Sequence, residues 1–183
     1  MSESTDRRTL RTKKVLKQAL LELLKKQDIS KVTVKELSHQ ADIGRGTFYL
    51  HYTDPYDLLD HVMDELLAEL SGPYDRIIAN WEEDGLLAYL ENIWRHVYEN
   101  KDAFKILMSP RSGTQLMERT RQYCLKGAMS MLHQSQPMDT AAIYNIVYII
   151  SGALAIFQRW LEEDTPIPPE ELAILMRKLI LRD

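Results

Sequence analysis

Hydrophobic residues along this chain recur at spacings of three and four, the period of an amphipathic helix, and no stretch carries a convincing strand signal. The first stripe, Val15, Leu16, Ala19, Leu20, Leu23 and Leu24, is one face of a long N-terminal helix. A shorter stripe follows at Val34, Leu37 and Ala41. It is interrupted by Asp42-Ile43-Gly44, where Asp and Gly both leave the right-handed helical region at little cost. A brief segment at about 45–50 comes next, too short to be stable alone and anchored by Phe48. Asp54-Pro55-Tyr56-Asp57 then opens another helix with an Asp cap, a Pro at the first helical position and an acid at the third. Its stripe runs through Leu58, Leu59, Val62, Leu66 and Leu70 to a break at Ser71-Gly72-Pro73. Beyond it the pattern predicts helices at about 73–82, 85–99, 101–108, 113–134, 139–163 and 169–182, with a break at Asp84-Gly85 and others at proline-containing joints. The expected fold class is all-α.

The stretch from Val32 to Tyr52 reads as two short helices joined by a tight turn, a helix-turn-helix. Thr33 is a good N-cap, and Glu36 three residues on is placed to reach back to the cap's own amide. Ile43 is expected to plug the space between the helices. The second helix leaves Arg45, Gly46, Thr47 and Tyr49 outward. A guanidinium forks onto guanine, Thr offers a hydroxyl and a methyl for thymine, and Gly removes bulk where a backbone meets DNA. Thr33, Lys35, Tyr49, His51 and Tyr52 complete the candidate DNA-binding set, the last three as hydrogen-bond donors to phosphates. Taken alone, these residues also fit an ordinary helical hairpin with Tyr and Phe in its core.

Thr33-Val34-Lys35-Glu36-Leu37, Ala41-Asp42-Ile43, Gly46-Thr47-Phe48-Tyr49 and His51-Tyr52, preceded by one long amphipathic helix, together resemble the TetR-type (TetR/AcrR) one-component transcriptional regulators. The resemblance covers about the first sixty residues. It implies a three-helix DNA-binding head, a helical body that dimerises through its last two long helices, and, most often, repression by blocking a promoter. The chain departs from the pattern in three places. Asp42 stands where Gly is usual, Gly44 where a Ser cap is usual, and Pro55 where a phosphate-binding Lys is often found.

Charge supports the same division. Residues 1–53 hold eleven Lys or Arg against six Asp or Glu, a balance of +5, and residues 54–183 hold twelve against twenty-one, a balance of −9. A basic head on an acidic body suits a polyanion held at one end. Arg7, Arg8, Arg11, Lys13, Lys14 and Lys17 crowd the entry to the first helix, where an arm beside a helix-turn-helix touches backbone or minor groove. The division expected is residues 1–53 as DNA-binding domain and 54–183 as effector-binding and dimerisation domain.

The remaining composition mainly excludes. Cys124, the single cysteine, rules out an internal disulfide or a cysteine-based zinc cluster. The five histidines are scattered, with only a weak His61–Glu65 pair, and no phosphate loop or nucleophile elbow is present. Neither an enzyme nor a cofactor or metal is expected. The N-terminus lacks the apolar core of a signal peptide, and the most apolar stretch, 141–157, is broken by Tyr144, Asn145, Tyr148 and Ser151. A cytoplasmic location without membrane contact is the expectation.

Two further features concern the body. The segment at 139–163 is apolar around much of its circumference, and Gly152 and Ala155 let another helix come close. With Leu172, Leu175 and Leu179 of the last helix it is the expected homodimer interface. Trp94, Tyr98, Met117 and Tyr123 are the candidates to line a pocket for a small apolar or aromatic effector, with Arg95, His96 and Gln122 as sources of polarity. The reading is a homodimeric repressor of TetR type on palindromic double-stranded DNA. The alternative is a TetR-like interaction protein whose head, altered at Asp42, Gly44 and Pro55, acts through a partner regulator.

Overall fold

The computed structural model describes residues 2–71, 83–112, 115–133 and 139–181. Among them there are nine α-helices and no strand: α1 Ser2–Leu24, α2 Val34–Gln40, α3 Arg45–Tyr49, α4 Pro55–Ser71, α5 Glu83–Glu99, α6 Lys101–Met108, α7 Gln115–His133, α8 Thr140–Glu162 and α9 Pro169–Leu181. Short 3-10 turns stand at Ile29–Lys31 and Pro110–Ser112. The helix expected at 73–82 lies outside the described residues. α5 begins at Glu83, two residues before the start expected at 85, and carries Gly85 in its first turn, where the amides have no intrahelical partner to lose.

The chain divides into two compact units. One is Met1–Leu66 together with Ile106–Thr114, and the other is Leu67–Lys105 together with Gln115–Asp183. In the first unit α1 buries Leu16, Ala19, Leu20 and Leu24 at spacings of three and four, α2 buries Leu37, and α4 buries Leu58, Leu59, Val62, Met63 and Leu66. Each such leucine contributes roughly 1.5–3 kcal/mol relative to leaving it in water. The start of α4 is fixed by two aspartates. Asp54 Oδ1 accepts from the Tyr56 and Asp57 amides at 2.8 and 2.9 Å, and Asp57 Oδ2 accepts from the Thr53 amide at 2.7 Å.

Residues 106–114 join this unit from far along the chain. Leu107 is fully buried, Ser109 and Ser112 both donate to the Ile106 carbonyl at 2.7 Å, and the Arg111 guanidinium donates to the Lys25 carbonyl at the end of α1. A cation at a helix C-terminus meets both the orphan carbonyls and the favourable end of the dipole.

The second unit packs α9 on α5 and α7 on α8. Its centre is aromatic. Trp94 lies 5.6 Å from Trp160 and 6.1 Å from Phe157, and Phe157 lies 5.6 Å from Phe104. The turn between α8 and α9 places Asp164 and Thr165 in the left-handed region, at φ 61 and 57. Three bonds hold it there: Lys105 Nζ to Asp164 Oδ1 at 2.6 Å, the Thr165 amide to the Trp160 carbonyl at 2.8 Å, and Trp160 Nε1 to the Ile167 carbonyl at 3.0 Å. The Lys105 hydrogen bond also holds the Asp164 carboxyl below its ordinary value.

Candidate nucleic-acid interface and body cavity

Both ends of α2 are closed by identifiable chemistry. At its start the Glu36 amide donates to Thr33 Oγ1 at 3.2 Å while Glu36 Oε2 accepts from the Thr33 amide at 2.9 Å and from its hydroxyl at 2.7 Å, a complete capping box. These bonds hold the Glu36 carboxyl below the usual carboxylate range. At its end the Ile43 amide reaches the Ser38 carbonyl at 2.9 Å and the Asp42 amide reaches the His39 carbonyl at 3.2 Å. That is the Schellman pattern, with Asp42 at φ 52 in the position Gly usually takes.

The turn therefore has the geometry of a helix-turn-helix even without its usual glycine. Helix α3 has Gly44 at its N-cap, where a φ of −72 is ordinary and no side chain caps the helix. Phe48 is wholly buried, 5.9 Å from Tyr52 and 5.6 Å from Tyr49. The opposite face of α3 is open: Arg45 and Gly46 are exposed, Tyr49 is 60% exposed, and a Cβ at Gly46 would meet nothing within 4 Å. Lys35 is exposed on α2, and Thr47 and His51 are half-buried.

Two members of the expected DNA-binding set are occupied within the fold. Tyr52 is only 4% exposed, its ring 5.6 Å from His61, and burial pushes its hydroxyl up to about 12. It lies four residues after Phe48 and shares its inward face, so it belongs to the core. The Thr33 hydroxyl is committed to the capping box. In the basic arm, Lys17 pairs with Glu65 at 3.2 Å. Arg8 and Arg11 instead line a polar concavity of about 560 Å³ shared with Asp42, Gly44 and Thr47.

In the second unit a cavity of about 170 Å³ is walled by α5, α7, α8 and α9. Trp94 and Tyr123 line it; Tyr98, Met117, Arg95, His96 and Gln122 do not. Tyr98 is 43% exposed, against Trp160 and beneath Lys101 Nζ at 5.1 Å. The lining of α5 is Tyr89, Leu90, Ile93, Trp94 and Val97. That helical stripe excludes residue 98, and it was the signal available for Tyr89.

Helix α8 is, among the described residues, the one long and apolar enough to cross a membrane by length and composition, although its apolar run is interrupted. Only 11% of its most apolar window is buried within the chain. Its open face is Tyr144, Val147, Tyr148, Ser151, Gly152 and Ala155, at spacings of three and four. On α9, Ile174, Leu175 and Leu179 are also 44–53% exposed. Leu172 departs from the expected interface. It is 2% exposed and packed inside the unit.

The model of the transcriptional regulator C-terminal region of TetR type matches residues 84–182. The chain belongs to the TetR family of transcriptional regulators. An uncharacterized HTH-type transcriptional regulator of Bacillus subtilis (strain 168), YxbF, is 24% identical over 173 residues, 90% of this chain and 43% of that protein. This TetR-family chain thus spans less than half the length of that curated relative. Among solved structures, a TetR transcriptional regulator from Streptococcus agalactiae 2603V superposes with a TM-score of 0.69 at 22% identity, covering 98% of this chain and 99% of that one. The fatty acid degradation regulator FadR from Bacillus halodurans gives 0.70 at 14% identity over 93% and 94%. The dihydroxyacetone kinase operon activator DhaS gives 0.67 at 17% over 93% and 94%. These likenesses establish the TetR fold in an all-helical chain.

Proposed function

We propose that this TetR-family regulator acts in the cytoplasm as a homodimeric repressor, binding a palindromic operator through α3 and released by a small apolar effector held in the body. The observation that carries the reading is the head itself: a fully closed helix-turn-helix whose short second helix buries Phe48 and turns Arg45, Gly46 and Tyr49 outward. Arg45 reads base edges, while Lys35, Tyr49 and His51 hold phosphates. Two such heads on a two-fold axis meet successive major grooves about 34 Å apart.

The open stripes of α8 and α9 support self-association, since a contiguous apolar face of this length is costly in water. Gly152 and Ala155 let a partner helix approach, and Leu175 and Leu179 fill the seam. An effector acts only by binding the DNA-competent and DNA-incompetent states unequally, and α4, which runs from the first unit into the second, is the element such a difference would move.

Selection of sites from random duplex DNA, followed by titration of the best site across a salt series, tests the reading. The expected result is an enriched palindrome with steep salt dependence. A second reading, a co-regulator that no longer binds DNA itself, is favoured by one feature. Asp42 lines the same concavity as Arg8 and Arg11, so a negative charge stands on the surface that would meet phosphate. A folded, dimeric protein that enriches no sequence would establish that reading instead.

A further inference from the structure

We propose that Leu50 is a base-reading side chain of the head, selecting a thymine at one position of each operator half-site through apolar contact with its C5 methyl group. The inference rests on the DNA-binding reading above and names the base that one residue selects.

Exposure and direction are the first argument. Leu50 is 80% exposed, more than any other large apolar side chain among the described residues. It is the C-cap of α3 at φ −72 and ψ −18, so helical geometry carries through it, and its amide donates to the Gly46 carbonyl one turn back at 3.2 Å. At about 100° per residue, Gly46 and Leu50 each stand about 160° from Phe48, one on either side of the line that leads away from the buried ring. Gly46 puts no side chain there, and a Cβ placed on it meets nothing within 4 Å. Side chains of a helix lean toward its N-terminus, so Leu50 extends over this bare turn. Arg45 stands only about 60° from Phe48 and reaches forward from the flank.

Reach is the second. From Arg45 to Leu50 the chain rises about 7.5 Å, less than the ~12 Å width of the major groove. A base contact at the start of α3 and another at its end therefore fit in one groove.

Chemistry is the third. A leucine side chain neither donates nor accepts a hydrogen bond, so it gains nothing from a phosphate or from the polar edge of a base. The apolar group that bases display in the major groove is the thymine methyl. Thr47 also carries a methyl group, but it is half-buried and lines the concavity with Arg8, Arg11 and Asp42, on the flank of α3 toward α1. Leu50 is left as the apolar reader of the open face.

A uracil scan of the selected operator tests the proposal. Each thymine of a half-site is replaced in turn by deoxyuridine, which removes the C5 methyl and keeps every hydrogen-bonding atom, and the full chain is titrated by anisotropy. One position should cost wild type about fourfold in affinity, the return on one methyl group, and about fifteenfold when both half-sites are changed. In Leu50→Ala the same replacement should cost less than about twofold, with other positions responding as in wild type. The exposure of Leu50 means that the variant should keep its helical circular dichroism, and lowered salt, where phosphate contacts carry the affinity, keeps it measurable. Equal losses in wild type and Leu50→Ala at every position, or no uracil-sensitive position at all, overturn the role of Leu50 and leave a DNA-binding regulator in place. Failure of wild type to enrich any sequence overturns the DNA-binding reading itself.

Discussion

Asp42→Gly should stabilise the protein, an unusual expectation for a change at the heart of a functional motif. Asp42 sits at φ 52 immediately after α2, and its carboxylate makes no hydrogen bond or ion pair among the described residues, so no contact is lost on removing it. The left-handed conformation costs an L-residue about 1–2 kcal/mol, at the low end for Asp. A carboxylate at a helix C-terminus opposes the dipole by a further ~0.3–1 kcal/mol. Against these, glycine loses roughly 0.5–1 kcal/mol more conformational entropy on folding. The balance is a gain of about 0.5–1 kcal/mol, or roughly 1–4 °C in Tm for a chain of this size. Asp42→Asn separates the causes, because it removes the charge, tolerates the left-handed region and carries no extra entropy cost. It should recover at least half the gain. Differential scanning calorimetry at neutral pH and moderate salt is the assay, with urea unfolding as a check. If Asp42→Gly lowers the midpoint while Asp42→Asn leaves it unchanged, the left-handed turn is not formed as described and the Schellman argument fails. The same glycine variant should bind DNA no more weakly than wild type.

Thr33→Ala removes the capping box and should cost about 1 kcal/mol of stability, read by urea denaturation. Glu36 carries the pH dependence of the same cap. Its folded pKa is depressed, so its contribution is present above the ordinary carboxylate value and is lost as pH falls through the lower folded one. The difference in Tm between wild type and Glu36→Gln should therefore shrink on acidification, and a gap that widens would count against the cap. Arg45→Ala should cost about 1–3 kcal/mol at one base position and relax specificity there, whereas Lys35→Ala should weaken all sequences and reduce the salt slope by about one, both read by anisotropy titration. Leu179→Lys puts a charge on the open face of α9 and should weaken the dimer by about a hundredfold, ~3 kcal/mol. Unchanged sedimentation would move the interface elsewhere.

The head was legible in the sequence because its determinants are local. Thr33 and Glu36 are three residues apart, and Phe48 has no competitor for the inward side of so short a helix; Ile43, expected as the plug between the helices, is only half-buried and lines the polar concavity. Tyr52 misled because a tyrosine near a basic surface suggests a phosphate contact, yet its spacing of four from Phe48 already placed it on the buried face. The body was less readable for a different reason. On α9 an apolar stripe that includes Leu172, Leu175, Met176 and Leu179 serves two surfaces: Leu172 and Met176 face inward, and Leu175 and Leu179 face out. Periodicity reports that a helix is apolar but not which of two neighbours each residue meets. Tyr98 shows the same limit, since aromatic composition singled it out while the stripe through Tyr89, Ile93, Trp94 and Val97 passes it by.

The short stretch Ile106–Thr114 changes what counts as a detachable piece of this molecule. It is separated from Leu66 by about forty residues of chain, yet Leu107 and the Arg111 link to Lys25 belong with the head. Bringing these residues to the head closes a loop of about forty residues, at a chain-entropy cost that grows only slowly with loop length. A head grafted from residues 1–66 onto another body would arrive without its wall at Leu107 and without the guanidinium that closes α1. Swapping specificities between regulators of this build means exchanging two segments, not one.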